Sequence, residues 1–183
     1  MSMKLNRRHY LTLALASVTT QLHAQTWPVK PVRLVVPFAP GGSTDVVARM
    51  LGQKLTDIWG QSVVIENRAG AGGNLGADAV AKSAPDGHTL LFASGSITIN
   101  PSIYTNMPFD TVRDLTPITN VASGPMLIVV NDKAPWRNLK DLIQDAKANP
   151  GKINFGSAGI GSQIHLAAEN FADAAGMIGR AHV

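Results

Sequence analysis

The sequence predicts an α/β protein with a parallel sheet, and two observations predict it. Short β-branched runs alternate with longer segments whose apolar residues recur at helical spacing. Glycine-rich stretches stand at three of the junctions where a strand-like run gives way to a helical one. Such alternation is typical of a parallel sheet covered by helices. With 183 residues, of which 45% are hydrophobic and 15% charged, the chain is long enough to bury a core.

The first half of the chain carries a β-α-β-α-β series. It runs through the strand Val32–Val36, the helix Ser43–Trp59, the strand Ser62–Glu66, the helix Gly73–Lys82 and the strand His88–Ala93. Helical spacing predicts the inward faces, formed by Val46, Val47, Met50, Leu51, Leu55 and Ile58 in the first helix and by Leu75, Ala79 and Val80 in the second. The three strands are predicted to form one parallel sheet.

The second half of the chain is less regular. Residues 100–116 contain two prolines and little periodicity, which predicts a long connecting loop. Further strands are predicted at Thr116–Ala122, Met126–Val130 and Lys152–Phe155, and helices at Leu139–Asn149 and Ser162–Ala175. Asn138 is the predicted N-cap of the helix that begins at Leu139, because Asp141 follows it at the spacing of a capping box.

Residues 1–24 have the pattern of an export signal. Lys4, Arg7 and Arg8 precede a short apolar run, and residues 22–24 form a plausible cleavage site. The apolar run is shorter than the roughly 20 residues that span a bilayer. We therefore expect export to the periplasm, and both the general secretory and the twin-arginine routes remain open.

Charge and cysteine content exclude several classes of function. Three of the 16 basic residues and none of the 12 acidic residues lie in residues 1–24, so the remainder is nearly neutral. Proteins that bind nucleic acids usually carry a dense basic patch, and we therefore expect no nucleic-acid partner. The absence of cysteine excludes disulfides and thiolate sites. The histidines lack metal-ligand spacing, so no metal and no cofactor is predicted.

The three glycine-rich junctions are the candidate functional feature. They cover Pro37–Asp45, Asn67–Asn74 and Gly156–Ser162, and each leads into a predicted helix. The first turn of a helix has backbone N–H groups without partners and carries the positive end of the helix dipole. It can therefore bind an anion without a basic side chain, and glycine lets the ligand approach the backbone closely. Since such junctions lie at the carboxyl edge of a parallel sheet, they predict an anion-binding crevice there.

Two enzymatic alternatives match the spacing less well. A nucleotide-dependent enzyme would use Gly70–Gly72 as a phosphate loop, but the third glycine of that fingerprint is Gly76, one position late. A hydrolase would need a Gly-x-Ser-x-Gly turn around its nucleophile, and the chain has none. We therefore expect a binding protein and not an enzyme.

Four segments, Trp27–Gly42, Glu66–Gly73, Ala84–Leu91 and Gly161–Leu166, carry a resemblance to a known family. Together they resemble the Bug family, the substrate-binding receptors of tripartite tricarboxylate transporters. The resemblance implies a periplasmic binding protein-like α/β fold of type II, in which two lobes close on a ligand like a flytrap. It implies a complete or nearly complete first lobe at residues 25–123 and a partial second lobe at residues 124–183.

The resemblance also implies a function. The chain would capture a small carboxylate (a di- or tricarboxylate, an amino acid or an aromatic acid) for the integral membrane subunits of the transporter, and we expect a monomer. The implied ligand-binding residues are Gly41, Gly42, Ser43, Asp45, Ala71, Gly72, Gly73, Ser94, Ser157, Gly159, Ser162 and His165. From the residues alone, Asp45 could instead complement the helix dipole, and His165 could be a satisfied buried histidine.

The chain is shorter than members of that family usually are. Residues 176–183 lack the pattern of a further strand, which predicts a truncated or frameshifted end. A non-functional fragment is therefore the alternative to a working receptor. We expect a marginally stable second lobe with exposed apolar faces at Met126–Val130 and on the helix that contains Leu166, Ala167 and Phe171.

Overall fold

The computed structural model describes residues 27–177 and the backbone of residues 180–182. The predicted signal peptide, residues 1–24, lies outside the described residues. In chain order the elements are β1 Val32–Val36, α1 Ser43–Trp59, β2 Val63–Asn67, α2 Asn74–Ala81, β3 Thr89–Leu91, α3 Ser96–Ile103, α4 Leu139–Ala148, β4 Asn154–Gly156, α5 Gln163–Ala174 and β5 Arg180–His182. A single 3-10 turn, Ala71–Gly73, precedes α2. None of the helices in the described part of the chain has the length and apolar character needed to cross a membrane.

The larger sheet has the order β2-β1-β3, and both neighbours run parallel to β1. Leu34 in the middle of β1 pairs with Ile65 of β2 and with Leu90 of β3. The smaller sheet pairs β4 with β5, also in parallel. The predicted parallel α/β architecture is therefore confirmed.

The core lies between β1 and α1. It contains Leu34, Val36 and Ala48, with Phe38, Leu51, Val63, Ile65, Leu90 and Phe92 packed against them. Burying one aliphatic side chain of this size stabilises the fold by about 1.5–3 kcal/mol. Gly52 lets the helix approach the sheet closely, since a Cβ there would lie 2.9 Å from Ile65 Cδ1.

Helix α1 begins and ends where the sequence predicts. It ends at Gly60, whose φ of 65° is the left-handed conformation that glycine adopts without strain. Near this end, the Thr56 hydroxyl donates to Gly52 O over 2.8 Å and accepts from the backbone N–H of Val63 over 3.0 Å. The last turn of α1 is thereby joined to the first residue of β2.

An aromatic cluster lies at the amino ends of the strands. The ring of Trp27 meets that of Trp59 edge-on, with 4.9 Å between centroids, and lies 5.6 Å from the His88 ring. Asp86 holds this end of the sheet together, because its carboxylate accepts from Lys30 Nζ over 2.8 Å and from the His88 N–H over 2.9 Å. The first two glycine-rich junctions lie at the opposite, carboxyl ends of β1 and β2, whereas the third follows β4 of the smaller sheet.

The predicted inward faces of the first two helices were partly wrong. Met50 and Ile58 of α1 are 67% and 73% exposed, and Leu75 of α2 is 57% exposed. The buried stripe of α1 consists of Asp45, Ala48 and Gly52. A small or hydrogen-bonded residue can face a sheet at close range, and a count of large apolar residues misses such a stripe.

The expected loop at residues 100–116 was wrong at its beginning, because α3 continues through Pro101 to Ile103. The predicted strands at Thr116–Ala122 and Met126–Val130 are not formed. Their composition favours strands, but within the described residues neither segment has a strand to pair with. Met126–Val130 is exposed as expected, with Leu127 at 78% and Val129 at 82%.

Two further expectations for the second half also need correction. Residues 180–182 form β5, so the prediction that the tail lacks a strand was wrong. Leu166, Ala167 and Phe171 are half-buried and not exposed. The N-cap of α4 is confirmed, since Asn138 Oδ1 accepts from the Asp141 N–H over 3.0 Å.

Candidate ligand-binding site

The first glycine loop, Pro37–Asp45, is held by the carboxylate of Asp45. Its Oδ2 accepts from the Gly41 N–H and from Arg49 Nε, each over 2.9 Å. Its Oδ1 accepts from Asn67 Nδ2, also over 2.9 Å. Asp45 is only 3% exposed, so both oxygens are used within the protein. Its place in the structure is therefore that of a support for the loop.

The same contacts fix the charge of Asp45. Hydrogen bonds from Arg49, from the Gly41 amide and from Asn67 together hold the pKa of Asp45 well below its ordinary value. The carboxylate consequently stays ionised throughout the physiological range, and Arg49 balances its charge. An ionised acid with both oxygens engaged is not available as a general base.

The first two loops deliver helix starts that no side chain caps. Helix α1 begins after Gly42 and α2 begins after Gly73, and neither start has a side-chain cap. Ser43, the first residue of α1, is exposed. The first N–H groups of α1 therefore face a surface from which a ligand oxygen could bind them.

The second loop turns through a run of positive φ angles. Gly70, Ala71, Gly72 and Gly73 have φ values of 136°, 48°, 62° and 101°. Among the described residues, Ala71 is the one non-glycine residue with a positive φ, and it is exposed. Gly72 and Gly73 are buried, because the loop folds back against neighbouring backbone. Within the loop the Gly73 N–H donates to Gly70 O over 3.0 Å.

The second and third loops lie against each other. A Cβ at Gly72 would lie 2.6 Å from Ile160 O, so the two backbones are in direct contact. Two polar residues of α3 and its C-cap contact the loops, one on each side. Asn100 Nδ2 donates to Gly72 O over 3.1 Å, and Tyr104 Oη donates to Ile160 O over 2.8 Å. The structure thus brings together junctions that are far apart in the sequence.

The third loop, Gly156–Ser162, carries its own internal hydrogen bonds. Ser157 Oγ accepts from the Gly159 N–H, and Ser162 Oγ accepts from the His165 N–H, both over 3.3 Å. His165 Nδ1 accepts from the Gly161 N–H over 3.4 Å, and its Nε2 lies 3.8 Å from Glu169. Ser162 is the N-cap of α5 and is 1% exposed. Ser162 and His165 are therefore placed as supports of this loop.

Ser94 follows β3 and lies at the same edge of the sheet. Its Oγ is 2.9 Å from Ser96 Oγ. The adjacent Gly95 lies close to the first residue of α5, since a Cβ there would be 3.5 Å from Gln163 Nε2. In contrast, a Cβ at Gly41 or Gly159 would meet no described atom within 4 Å. These two glycines face open space in the middle of the first and third loops.

Four residues at the site were not predicted: Arg49, Asn67, Asn100 and Tyr104. Asn67 ends β2, and its amide reaches both Asp45 Oδ1 and Phe38 O, the latter over 3.1 Å. A polar amide at the end of a half-buried strand is a signal that sequence reasoning could have used. Asn100 and Tyr104 were overlooked because Pro101 made the segment resemble a loop.

A cavity of about 500 Å³ lies elsewhere, beside α4. It is lined by Trp136, Asp145, Asn149, Lys152, Ile153 and Asn154. None of the predicted site residues lines it, and its acid is already engaged, because Trp136 Nε1 donates to Asp145 Oδ2 over 2.9 Å. Over residues 27–177, acidic and histidine side chains form no group of three or more that could hold a metal ion.

Residues 47–183 match a family described as the tripartite tricarboxylate transporter family receptor. The chain belongs to this family. Protein BugT of Bordetella pertussis is 44% identical over 161 residues, which are 87% of this chain and 49% of BugT. The family resemblance read from the four sequence segments is therefore confirmed.

Solved structures show the same fold. The Rhodopseudomonas palustris protein MatC with bound malate is 29% identical, has a TM-score of 0.75, and is matched over 85% of this chain and 54% of MatC. R. palustris Rpa4515 with adipate is 36% identical, has a TM-score of 0.81, and is matched over 85% of this chain and 53% of Rpa4515. The fold is that of the periplasmic binding proteins, with one lobe and part of a second. The chain spans about half the length of the relatives it matches.

Proposed function

We propose that this chain is the ligand-capturing part of a periplasmic receptor that binds a small carboxylate and passes it to the integral membrane subunits of a tripartite tricarboxylate transporter. It acts as a binding protein and catalyses no reaction. The receptor works as a monomer with a lobe boundary near residues 123 and 124. Family membership supports this assignment, since the matched family consists of transporter receptors.

The observation that carries the proposal is the convergence of the glycine loops. The start of α1, which has no side-chain cap, and the start of α2 lie at the carboxyl edge of the larger sheet, and the third loop contacts the second directly. Peptide N–H groups at helix starts attract a carboxylate through hydrogen bonds and through the helix dipole. The ligand is therefore held mainly by backbone groups.

The twelve predicted residues divide into two proposed roles. Those proposed to contact the ligand are Gly41, Gly42, Ser43, Ala71, Gly72, Gly73, Ser94, Ser157 and Gly159. Asp45, Ser162 and His165 act by holding the first and third loops in shape, because their polar atoms are engaged within those loops. Asp45 and Ser162 are also buried, at 3% and 1% exposure.

Dicarboxylates are the proposed ligand class. Two structural relatives contain adipate and malate, each of which has a carboxylate at either end. Helix starts on separate loops can each receive one carboxylate. Amino acids and aromatic acids remain compatible with the same backbone contacts, so the ligand screen includes aspartate and benzoate.

The test deletes one backbone N–H and leaves the helix intact. Ser43 is the first residue of α1, where proline is well tolerated, and Gly42 before it has the extended conformation that proline requires (φ −74°, ψ 166°). Ser43→Pro therefore removes the amide hydrogen, whereas Ser43→Ala removes only the hydroxyl. A lost charge-assisted hydrogen bond of about 1.5–3 kcal/mol weakens binding about ten- to hundredfold.

Isothermal titration calorimetry with malate and adipate gives the measurement, and adipamide serves as the uncharged control ligand. We expect binding of at least one acid, a large loss in Ser43→Pro and a loss below about threefold in Ser43→Ala. If a folded chain binds neither acid nor any other acid of the screen, the receptor proposal is wrong for this chain. Equal affinities of the parent and Ser43→Pro would contradict the helix-start site.

A further inference from the structure

A hydrogen bond at the carboxyl end of α3 connects the larger sheet to a loop beside the smaller sheet. Tyr104 Oη donates to Ile160 O over 2.8 Å, between residues 56 positions apart. Tyr104 follows β3 of the larger sheet in the sequence, whereas Ile160 lies between β4 and α5 beside the smaller sheet. This hydrogen bond therefore joins the two parts of the fold at one end of the proposed ligand site.

Two glycines, one on each loop, allow the backbones to meet there. Gly72 has a φ of 62°, and a Cβ on it would lie 2.6 Å from Ile160 O and 3.0 Å from Tyr104 Oη. Gly161 has a φ of 80°, and a Cβ on it would lie 3.0 Å from Tyr104 Cε2. Any larger residue at either position would hold the loops apart. The contact is thus built for close approach of the second and third loops.

Asn100 opposes this approach. Its Nδ2 donates to Gly72 O and to Asn74 Oδ1, which fixes the side chain to the second loop. Its Oδ1 has no hydrogen-bond partner among the described residues, and the residue is fully buried. A Cβ on Gly161 would lie 3.1 Å from that oxygen, so the third loop covers it. Burying an acceptor without a donor is unfavourable, and separation of the loops would let water reach it.

One hydrogen bond favours contact of the loops, and one buried acceptor disfavours it. We propose that Tyr104 is a positioning residue whose hydroxyl sets the balance between the joined and separated states of the second and third loops. Through that balance it sets the apparent affinity of the site. The effect on affinity rests on the proposed receptor function, whereas the effect on the two loops does not.

The absence of cysteine makes the loop balance directly measurable. Cysteines introduced by Lys54→Cys on α1 and Asn170→Cys on α5 lie at exposed positions and accept nitroxide labels without side reactions. Pulsed electron paramagnetic resonance then gives the distance distribution between the two helices. Tyr104→Phe removes only the hydroxyl. Thr98→Val is the matched control, since it removes a hydroxyl that bonds within α3 to Gly95 O over 2.8 Å.

We expect Tyr104→Phe to broaden the distance distribution and to shift weight toward longer distances, while Thr98→Val leaves it as in the parent. A Tyr104→Phe distribution that superimposes on that of the parent would overturn the proposal. Both outcomes are reached without any ligand, so they do not depend on the receptor function being correct.

Calorimetry with malate and adipate tests the effect on affinity. Apparent affinity falls in proportion to the binding-competent fraction. Loss of one neutral hydrogen bond predicts about a two- to tenfold weaker affinity in Tyr104→Phe, matching the change in the populations seen by resonance. A shifted distance distribution with unchanged affinity would refute control of the site by Tyr104. Failure of the parent to bind either acid counts against the receptor function, and the distance measurement still decides whether Tyr104 holds the loops.

Discussion

The side-chain amide of Asn67 donates to Asp45 Oδ1 over 2.9 Å and so joins the end of β2 to the first turn of α1. The same nitrogen donates to Phe38 O, and Asn67 Oδ1 accepts from Arg49 Nη2 over 3.1 Å. The Asn67 side chain thus connects two parts of the first glycine loop, Phe38 and Asp45, to the start of the second loop. Loop geometry at this edge of the sheet depends on a side chain that is not itself proposed to touch the ligand.

Replacing this amide should loosen the first loop. Asn67→Ala removes three hydrogen bonds and leaves Asp45 Oδ1 without a donor, and we expect a loss of about 1–3 kcal/mol in the free energy of unfolding. Gln53→Ala is the control, because it removes one exposed hydrogen bond to Asp57 and should cost less than about 0.5 kcal/mol. Urea unfolding followed by circular dichroism measures both. Equal losses in the two variants would show that the Asn67 contacts do not stabilise the fold.

Two buried glycines should differ sharply in their tolerance of alanine. A Cβ at Gly76 would lie 2.7 Å from Pro37 Cβ and 2.9 Å from Pro37 Cα, and this backbone cannot move without disturbing the end of β1. A Cβ at Gly52 would meet the terminal Cδ1 of Ile65, which can rotate away. Alanine favours a helix over glycine by about 1 kcal/mol at either site. We expect Gly76→Ala to destabilise by about 1–3 kcal/mol from overpacking and Gly52→Ala to be within about 1 kcal/mol of the parent.

Thermal and urea unfolding of the two variants provide the comparison. If Gly76→Ala is as stable as the parent, then α2 can shift away from Pro37, and the close approach is not a constraint.

The cluster at the amino ends of the strands should respond to acid through Asp86. A hydrogen bond from Lys30, followed by one from the His88 backbone, lowers the pKa of Asp86 from 3.8 to about 2. Since this pKa is lower in the folded than in the unfolded chain, the stabilisation is complete above about pH 4 and is lost as the pH falls toward 2. Asp86→Asn lacks the ionised contact at every pH. The stability difference between parent and variant should therefore be largest near pH 7 and should shrink as the pH falls from 4 to 2.

Urea midpoints measured at several pH values between 2 and 7 test this dependence, with Asp57→Asn as an exposed control that leaves the Asp86 contacts in place. A constant difference between the parent and Asp86→Asn across that range would contradict the assigned contact.

The first half of the fold was predictable because its local signals agree with its packing. Val32–Val36 is rich in β-branched residues and is buried except at Arg33, and Ser43–Trp59 lies between Gly42 and Gly60, which mark its ends. The parallel order followed from this alternation. By contrast, Met126–Val130 has strong strand propensity but does not form a strand. A strand needs a neighbouring strand for its backbone hydrogen bonds, and propensity alone does not supply one.

The positions of the glycine loops were also predictable, but their supports were not. Glycine and helix starts are visible in the sequence, whereas the hydrogen bonds of Asn67 to Asp45 and of Tyr104 to Ile160 join residues 22 and 56 positions apart. Helical spacing of apolar residues likewise did not predict the buried stripe of α1. Asp45 faces inward because it is hydrogen-bonded, and Gly52 faces inward because it lets the helix lie close to the sheet. Whether the predicted contact residues bind a carboxylate stays a prediction.

The packing of Trp27 on Trp59 has a spectroscopic consequence. These two indoles stand at the amino ends of the strands, and the third, Trp136, is bonded to Asp145 beside α4. All three fluorophores therefore report on regions away from the glycine loops. A change in tryptophan fluorescence on adding a carboxylic acid would therefore signal a conformational change outside the glycine loops. Unchanged fluorescence would not show whether the acid is bound.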